Sequence, residues 1–206
     1  MAHDVQPVIF YCNPNIYPEE EYLIRKNEIT RYAHELGLTI IDDDYDHDAW
    51  LRYISGLEGE PERGARCLEC FKYRLLRSAQ KARELGIGEF TTTLASSRWK
   101  RLDQINAAGL WAAEQVGEVH FDDRNWRKGG LQERRNELLR INGFYNQQYC
   151  GCEFSFRSSA SPASPATTVV SPATTVVAPP AATAASHTSP EGEPTNTTSN
   201  QQTTIL

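Results

Sequence analysis

The residues of this 206-residue sequence best suited to chemistry are its five cysteines, four of which form two close pairs. Cys67 and Cys70 are separated by two residues, whereas Cys150 and Cys152 are separated by a single glycine. The N-terminal residues lack the charged-then-apolar pattern of a secretory leader, so we expect a cytoplasmic protein with reduced thiols. Paired thiols in that setting indicate a metal or redox site rather than structural disulfides.

The first pair lies at the start of the most clearly amphipathic helix, predicted over residues 68–85. Two thiolates at this spacing can bind one metal, and a helix N-terminus lowers the pKa of a thiol. Alternatively, Cys67 and Cys70 are small buried apolar side chains. Because a second pair is present, we favour a metal or redox function.

The second pair is tighter, and Gly151 lets the backbone between its two thiols bend sharply. Both sulfurs could then face one metal or close a strained disulfide, and strained disulfides have the potentials typical of catalytic pairs. Together, the two pairs supply four thiolates, which suit a tetrahedral zinc or an iron–sulfur cluster. Spacing alone does not choose between these two metals.

Other candidate residues follow predicted strands. Cys12 follows the first strand, where we expect a packed side chain near the ligand-binding edge of the sheet. Four aspartates at 42–44 and 46 follow the second strand, and most of them should form a solvated turn that caps the next helix. Asp44 and Asp46 are our candidates for supplying a metal ligand or a proton.

Two basic stretches contain a tryptophan beside Arg and Lys, at residues 98–101 and 124–128. Arg134, Arg135 and Arg140 follow the second stretch. Such a tryptophan can stack on an unpaired RNA base while the cations contact phosphates. The alternative is a solvated charged face, which is commoner. With a net charge of −6, nucleic-acid binding requires a local basic patch of this kind.

The elements that position these residues alternate between strands and helices. The sequence predicts strands at 8–11, 38–41, 89–94 and 119–121, and helices at 19–36, 48–54, 68–85, 102–116 and 131–141. This alternation predicts an α/β domain with a parallel sheet flanked by helices over residues 1–156. No apolar run is long enough to span a membrane. Residues 157–206 are rich in Pro, Ser, Thr and Ala, and we expect a low-complexity, disordered tail.

Five motifs in order carry a resemblance to a known family: residues 11–18, 44–46, 67–70, 91–94 and 149–155. Together they resemble the QueH-type epoxyqueuosine reductases over about residues 8–156. The resemblance implies a Rossmann-like, nucleotide-hydrolase-like fold. It also implies the last step of queuosine biosynthesis, in which epoxyqueuosine at the tRNA wobble position is reduced to queuosine.

Carried over by position, the resemblance makes Cys67 and Cys70 ligands of a 4Fe–4S cluster. Cys150 and Cys152 become a redox-active disulfide pair or further ligands, beside Asp44 or Asp46. An additional iron near the cluster, an external electron-donor protein or reductant, and a tRNA carrying epoxyqueuosine are the implied partners. No membrane is implied.

The sequence departs from the family pattern at its start. That family begins with a strand and a Cys-Cys segment upstream of the Asn-Pro-Asn motif, whereas only residues 1–7 precede Val8, and none is cysteine. We therefore expect an N-terminally short domain that lacks a central strand and about half of the cluster ligands. Two alternatives to the reductase are a non-catalytic zinc-stabilised RNA-binding domain and an inactive truncated fragment.

Overall fold

The computed structural model describes residues 6–145, 147–158 and 203–205. Strands are β1 (Gln6–Tyr11), β2 (Ile40–Asp42), β3 (Glu89–Phe90), β4 (His120–Phe121) and β5 (Thr203–Ile205). Helices are α1 (Glu19–Glu35), α2 (His47–Tyr53), α3 (Ala65–Glu84), α4 (Leu102–Val116), α5 (Leu131–Ile141) and α6 (Glu153–Ser158). The predicted α/β class is therefore confirmed.

The strands form one parallel sheet in the order β2-β1-β5-β3-β4. Register pairs Phe10 of β1 with Ile41 of β2, and Phe90 of β3 with Phe121 of β4. The C-terminal strand β5 pairs with β1 on one side and with β3 on the other. The finer expectation of a Rossmann-like arrangement stays a prediction.

The core lies between this sheet and helices α3 and α4. The apolar face of α3, formed by Phe71, Leu75, Ala79 and Ala82, is buried there, as the amphipathic pattern of this helix predicts. Helix α4 crosses β4 so closely that a Cβ on Gly109 would lie 2.3 Å from the Phe121 ring. This contact explains a glycine in the middle of a helix, where it otherwise costs about 1 kcal/mol relative to alanine.

Several boundaries differ from the sequence prediction. Helix α3 begins at Ala65, so Cys67 lies within its first turn. The predicted strand 89–94 ends at Phe90 because a 3₁₀ turn follows over Thr93–Ser96, where the Thr92 hydroxyl accepts the Leu94 N–H. The helix predicted over residues 19–36 ends at Glu35, and Leu36 is exposed. Helix α6 was not predicted.

The predicted tail falls almost entirely outside the described residues, which omit 159–202 and 206. Its disorder therefore stays a prediction. Two parts of residues 157–206 are described: the end of α6 and strand β5. A Thr-Thr-Ile sequence favours extended backbone because its residues are β-branched. The sequence predicts a domain that lacks a central strand, and in the structure β5 pairs with β1 and with β3.

Candidate functional site

The two cysteine pairs meet at one place in the structure. Cys67 and Cys70 lie in the first two turns of α3, and Cys152 directly precedes α6. Cys70 and Cys152 share a buried cluster with Trp50 of α2, and Cys150 packs against the same cluster. Cys67 and Cys150 are close enough to influence each other electrostatically. The fold therefore converts two sequence-distant pairs into one group of four thiols.

All five cysteines are free thiols. Four thiols are by type the donors of an iron–sulfur cluster or a structural zinc. In the described part of the chain, however, no three His, Cys, Asp or Glu side chains converge as ligands of a single metal ion. The donor chemistry thus suits the implied cofactor, but the arrangement does not form a closed ligand set.

The four thiols differ in their acidity. Burial raises the pKa of Cys70 to about 12, and burial likewise raises the pKa values of Cys67 and Cys152. Burial also opposes ionisation of Cys150, but the Lys100 ammonium lies 3.0 Å from its sulfur and, with Arg74, lowers the pKa of Cys150 below its ordinary value. The site therefore places the Cys150 thiol, which ionises readily, two residues from the Cys152 thiol, which keeps its proton.

The segment that carries Cys150 and Cys152 is attached to helix α1 through a buried arginine. The Arg25 guanidinium donates to the carbonyl oxygens of Tyr149 and Cys150, each at 3.3 Å, and to Gln147 Oε1 at 3.0 Å. Its Nε donates to Glu21 Oε1 at 2.7 Å, and this ion pair is buried. Arg25 therefore fixes the backbone of the second cysteine pair.

Gly151 makes the close approach to this arginine possible. Its φ is +102°, and a Cβ at this position would lie 2.8 Å from Arg25 Nη1 and 2.9 Å from Ile16 Cγ1. The Gly151 carbonyl accepts the Tyr17 N–H at 2.8 Å, and Cys152 forms a β-bridge with Ile16. A glycine is required here by both conformation and space.

The Asn-Pro-Asn segment forms another wall of the site. Arg74 of α3 donates to the Cys12 carbonyl at 3.0 Å and to Asn13 Oδ1 at 2.5 Å. His47 Nδ1 donates to the Pro14 carbonyl, 2.7 Å away. Within the described residues, two buried polar atoms of this region have no hydrogen-bond partner: Asn15 Oδ1 and His47 Nε2. Such atoms suit water or a ligand, because burying them unpaired costs free energy.

The predicted acidic residues take different places. Asp46 caps α2, its Oδ1 accepting the Ala49 N–H at 2.8 Å, and Asp44 is exposed. The buried aspartate is Asp43, which the sequence did not single out. Burial opposes its ionisation, but hydrogen bonds from Arg77 and Cys12 hold the pKa of Asp43 below its usual range. Cys12 is buried in the main core, and burial raises its pKa.

The two basic stretches have different places relative to the thiols. Residues 98–101 lie beside the thiols, because Lys100 contacts Cys150. The second stretch supports the first, since Arg127 donates to the carbonyls of Ala95 and Lys100, each at 3.0 Å. Further along the chain, Arg134 pairs with Glu137 on the surface of α5. The first stretch is therefore the one positioned to act at the thiols.

Sequence reasoning missed the roles of Arg25, Arg74 and Asp43. A spacing of four residues between Glu21 and Arg25 suggests an exposed helical ion pair, since arginine is rarely buried. One signal in the sequence could have indicated this burial. Glu21 is adjacent to Tyr22 at the start of α1, so burial of the tyrosine also brings Glu21 toward the interior. Nothing in the local sequence connects Arg25 to residues 147–150.

The fold and site define an α/β protein with a centre of four reduced thiols, one of them activated by a lysine. A sequence profile of the family described as Epoxyqueuosine reductase QueH matches residues 1–158. The chain belongs to this family, which in general implies a metal or iron–sulfur cofactor. Across the described residues, every helix is too short or too polar to cross a bilayer.

Curated proteins with the name Epoxyqueuosine reductase QueH are similar to this chain. The protein from Histophilus somni (strain 129Pt) is 46% identical over 158 residues, which cover 77% of this chain and 65% of that protein. Those from Haemophilus influenzae and Acinetobacter baylyi are 45% and 46% identical, over 77% and 73% of this chain and 65% and 69% of theirs. The chain thus spans about two thirds of the length of these relatives.

Proposed function

We propose that this chain reduces epoxyqueuosine at the tRNA wobble position to queuosine, the last step of queuosine biosynthesis. Membership of the family supports this oxidoreductase activity. The observation that carries the proposal is the pair of unlike thiols, with Lys100 3.0 Å from Cys150 and Cys152 buried two residues away. A thiolate beside a protonated thiol is the arrangement of a two-electron dithiol reductant.

The reaction removes the epoxide oxygen and leaves a carbon–carbon double bond. It requires two electrons and two protons, and the oxygen leaves as water. Oxidation of the Cys150 thiolate and the Cys152 thiol to a disulfide releases two electrons and one proton. The second proton comes from a nearby acid or from water, so the reaction balances. An external electron donor, a protein or small reductant, must then reduce the disulfide before the next turnover.

Asp44 and Asp46 are proposed proton donors to the departing oxygen. Asp46 also caps α2, and asparagine caps a helix about as well as aspartate. The Asp46→Asn variant therefore keeps the cap while removing the acid. Turnover that falls in Asp44→Asn or Asp46→Asn with unchanged stability would support this role, and unchanged turnover in both would exclude it.

We propose Cys67 and Cys70 as ligands of a 4Fe–4S cluster, with an additional iron close to it. Their thiol chemistry and their place at the start of α3 support this assignment. Two thiolates are fewer than the four that such clusters take from cysteine, and Cys150 and Cys152 would complete that number only in place of forming a redox pair. A cluster in this family would supply electrons one at a time.

Serine variants of the four cysteines test the proposal. If Cys67 and Cys70 hold a cluster, Cys67→Ser or Cys70→Ser in anaerobically purified protein should abolish the visible absorbance. If Cys150 and Cys152 are instead a redox pair, Cys150→Ser or Cys152→Ser should keep the colour and stop the reduction of epoxyqueuosine tRNA. Equal loss of metal in all four variants would show that every thiol is a ligand.

The metal content also distinguishes the zinc-stabilised RNA-binding alternative. Zinc is spectroscopically silent, whereas an iron–sulfur cluster absorbs visible light. Stoichiometric zinc without iron, together with no conversion of epoxyqueuosine tRNA in the presence of reductant, would contradict the reductase.

A further inference from the structure

Trp99 is a large aromatic side chain left in solvent beside the thiols. It lies between the 3₁₀ turn and helix α4, and 64% of its surface is exposed. A single exposed apolar residue is ordinary on a protein surface. What distinguishes Trp99 is the set of contacts that hold its backbone and connect it to two cysteines.

The backbone around Trp99 is fixed from two sides. Arg63 Nε donates to the Trp99 carbonyl at 2.8 Å, and the Arg63 backbone N–H lies 3.2 Å from Cys67 Sγ. The next residue, Lys100, contacts Cys150 Sγ and has its own carbonyl held by Arg127. The exposed ring is therefore carried on a turn held by hydrogen bonds, and two residues that contact this turn or belong to it, Arg63 and Lys100, each contact a thiol of the site.

The surroundings of the ring are mainly positive. The Arg98 guanidinium lies 4.8 Å from the Trp99 ring centroid, and within the described residues Arg98 has no carboxylate partner. Arg63 and Lys100 add two further cations, whereas Glu62 supplies a negative charge close to Cys150. Arg101, on the far side of Lys100, is paired with Asp103. Arg98 at the indole ring and Arg63 at the Trp99 carbonyl thus place two cations beside one exposed aromatic ring, a combination that matches the phosphates and the base of a single-stranded nucleic acid.

We propose that Trp99 is a stacking platform for an unpaired base of single-stranded RNA, next to the nucleoside that enters the thiol site. Arg98 and Arg63 contact the phosphates on either side of that base. This inference rests on the proposed function, because the anticodon loop of a tRNA presents unpaired bases on both sides of the wobble nucleoside. It adds the surface that recognises the RNA.

Binding without turnover tests the platform. The probe is a synthetic anticodon stem-loop RNA with guanosine at the wobble position, and the full chain binds it at fixed salt in an anisotropy titration. Loss of base–aromatic stacking should make the Kd of Trp99→Ala about 5- to 150-fold weaker. Trp99→Leu keeps apolar volume without a ring and should bind as weakly, whereas Trp99→Phe should bind nearly as well as the unmodified protein.

Two controls isolate stacking from general effects. Leu36→Ala truncates a comparably exposed side chain, 52% accessible, at the end of α1 and far along the chain from the thiols. It should leave the Kd unchanged. A fully base-paired RNA of equal length should bind Trp99→Ala and the unmodified protein alike, because paired bases offer no free face. Arg98→Gln should make stem-loop binding less dependent on salt. The slope of log K against log salt concentration should fall by about the amount expected for one lost phosphate contact.

The outcomes separate this inference from the proposed function. Stem-loop binding that is equal in Trp99→Leu and the unmodified protein overturns the platform, even if the chain reduces epoxyqueuosine tRNA. Binding that depends on the Trp99 ring supports the platform, whether or not reduction occurs. An absence of reduction would contradict the proposed function alone. A loss of binding to an electron-donor protein in Trp99→Ala, with RNA binding intact, would also overturn it.

Discussion

Replacing Arg25 by methionine is expected to destabilise the protein and to loosen the segment that carries Cys150 and Cys152. Methionine preserves most of the side-chain length and the helix propensity but removes the guanidinium. The variant loses the hydrogen bonds to Gln147, Tyr149 and Cys150 and leaves the Glu21 carboxylate without its cation. The effect therefore combines a lost attachment with an uncompensated buried charge.

The magnitude follows from the burial of the pair. The side chains of Arg25 and Glu21 are only 6% and 11% exposed, and breaking a buried ion pair by removing one partner costs about 3–5 kcal/mol. The Tyr145 hydroxyl still donates to Glu21 Oε2 at 2.9 Å, so the carboxylate keeps one hydrogen bond. We therefore expect the free energy of unfolding to fall by about 3 kcal/mol, the lower end of that range.

Helix α1 offers a matched control in Arg31, which pairs with Glu35 at the same four-residue spacing. Those side chains are 48% and 50% exposed, and exposed pairs of this kind contribute about 0.3–0.5 kcal/mol. Urea unfolding of Arg25→Met and Arg31→Met, monitored by circular dichroism, measures both losses. The double variant Glu21→Leu with Arg25→Met should recover stability, because neither charge is then left unpaired.

Equal losses of unfolding free energy in Arg25→Met and Arg31→Met would refute this reasoning, because burial of the ion pair would then have no effect on stability. A second measurement follows the site directly. The rate at which a thiol reagent modifies Cys150 should rise in Arg25→Met and stay unchanged in Arg31→Met. An unchanged rate in both would show that Arg25 does not hold the cysteine segment.

Three further predictions concern the acidity of Cys150, the glycine beside it and the C-terminal strand. Lys100→Met should raise the pKa of Cys150, so its alkylation by iodoacetamide should reach half its maximal rate at a higher pH; an unshifted profile would exclude the ion pair. Gly151→Ala should lower the unfolding midpoint in urea more than Gly37→Ala. Gly37 also has a positive φ, +65°, but no atom lies within 4 Å of the added Cβ. Deleting residues 203–206 should lower the melting temperature, because β1 and β3 both lose a paired strand, and an unchanged midpoint would show that β5 contributes nothing.

Local sequence determined much of the framework. Helices α4 and α5 begin and end at the predicted residues, and α3 buries the predicted apolar face. Periodicity and end signals are properties of short windows, so they can be read without knowing the fold. The two cysteine pairs were also evident from spacing alone, because thiol pairs at these distances have few other uses in a reduced protein.

Tertiary structure decided which residues act on those cysteines. Lys100 reaches Cys150 from 50 positions away, and Arg25 reaches its carbonyl from 125. Contacts at such separations depend on how helices pack on the sheet, and an arginine is expected in water until packing surrounds it. The sequence also favoured Asp44 and Asp46 as the functional aspartates, whereas packing buries Asp43 against Arg77. Likewise, β5 pairs between β1 and β3, because strand order is set by backbone hydrogen bonding in three dimensions rather than by position along the chain.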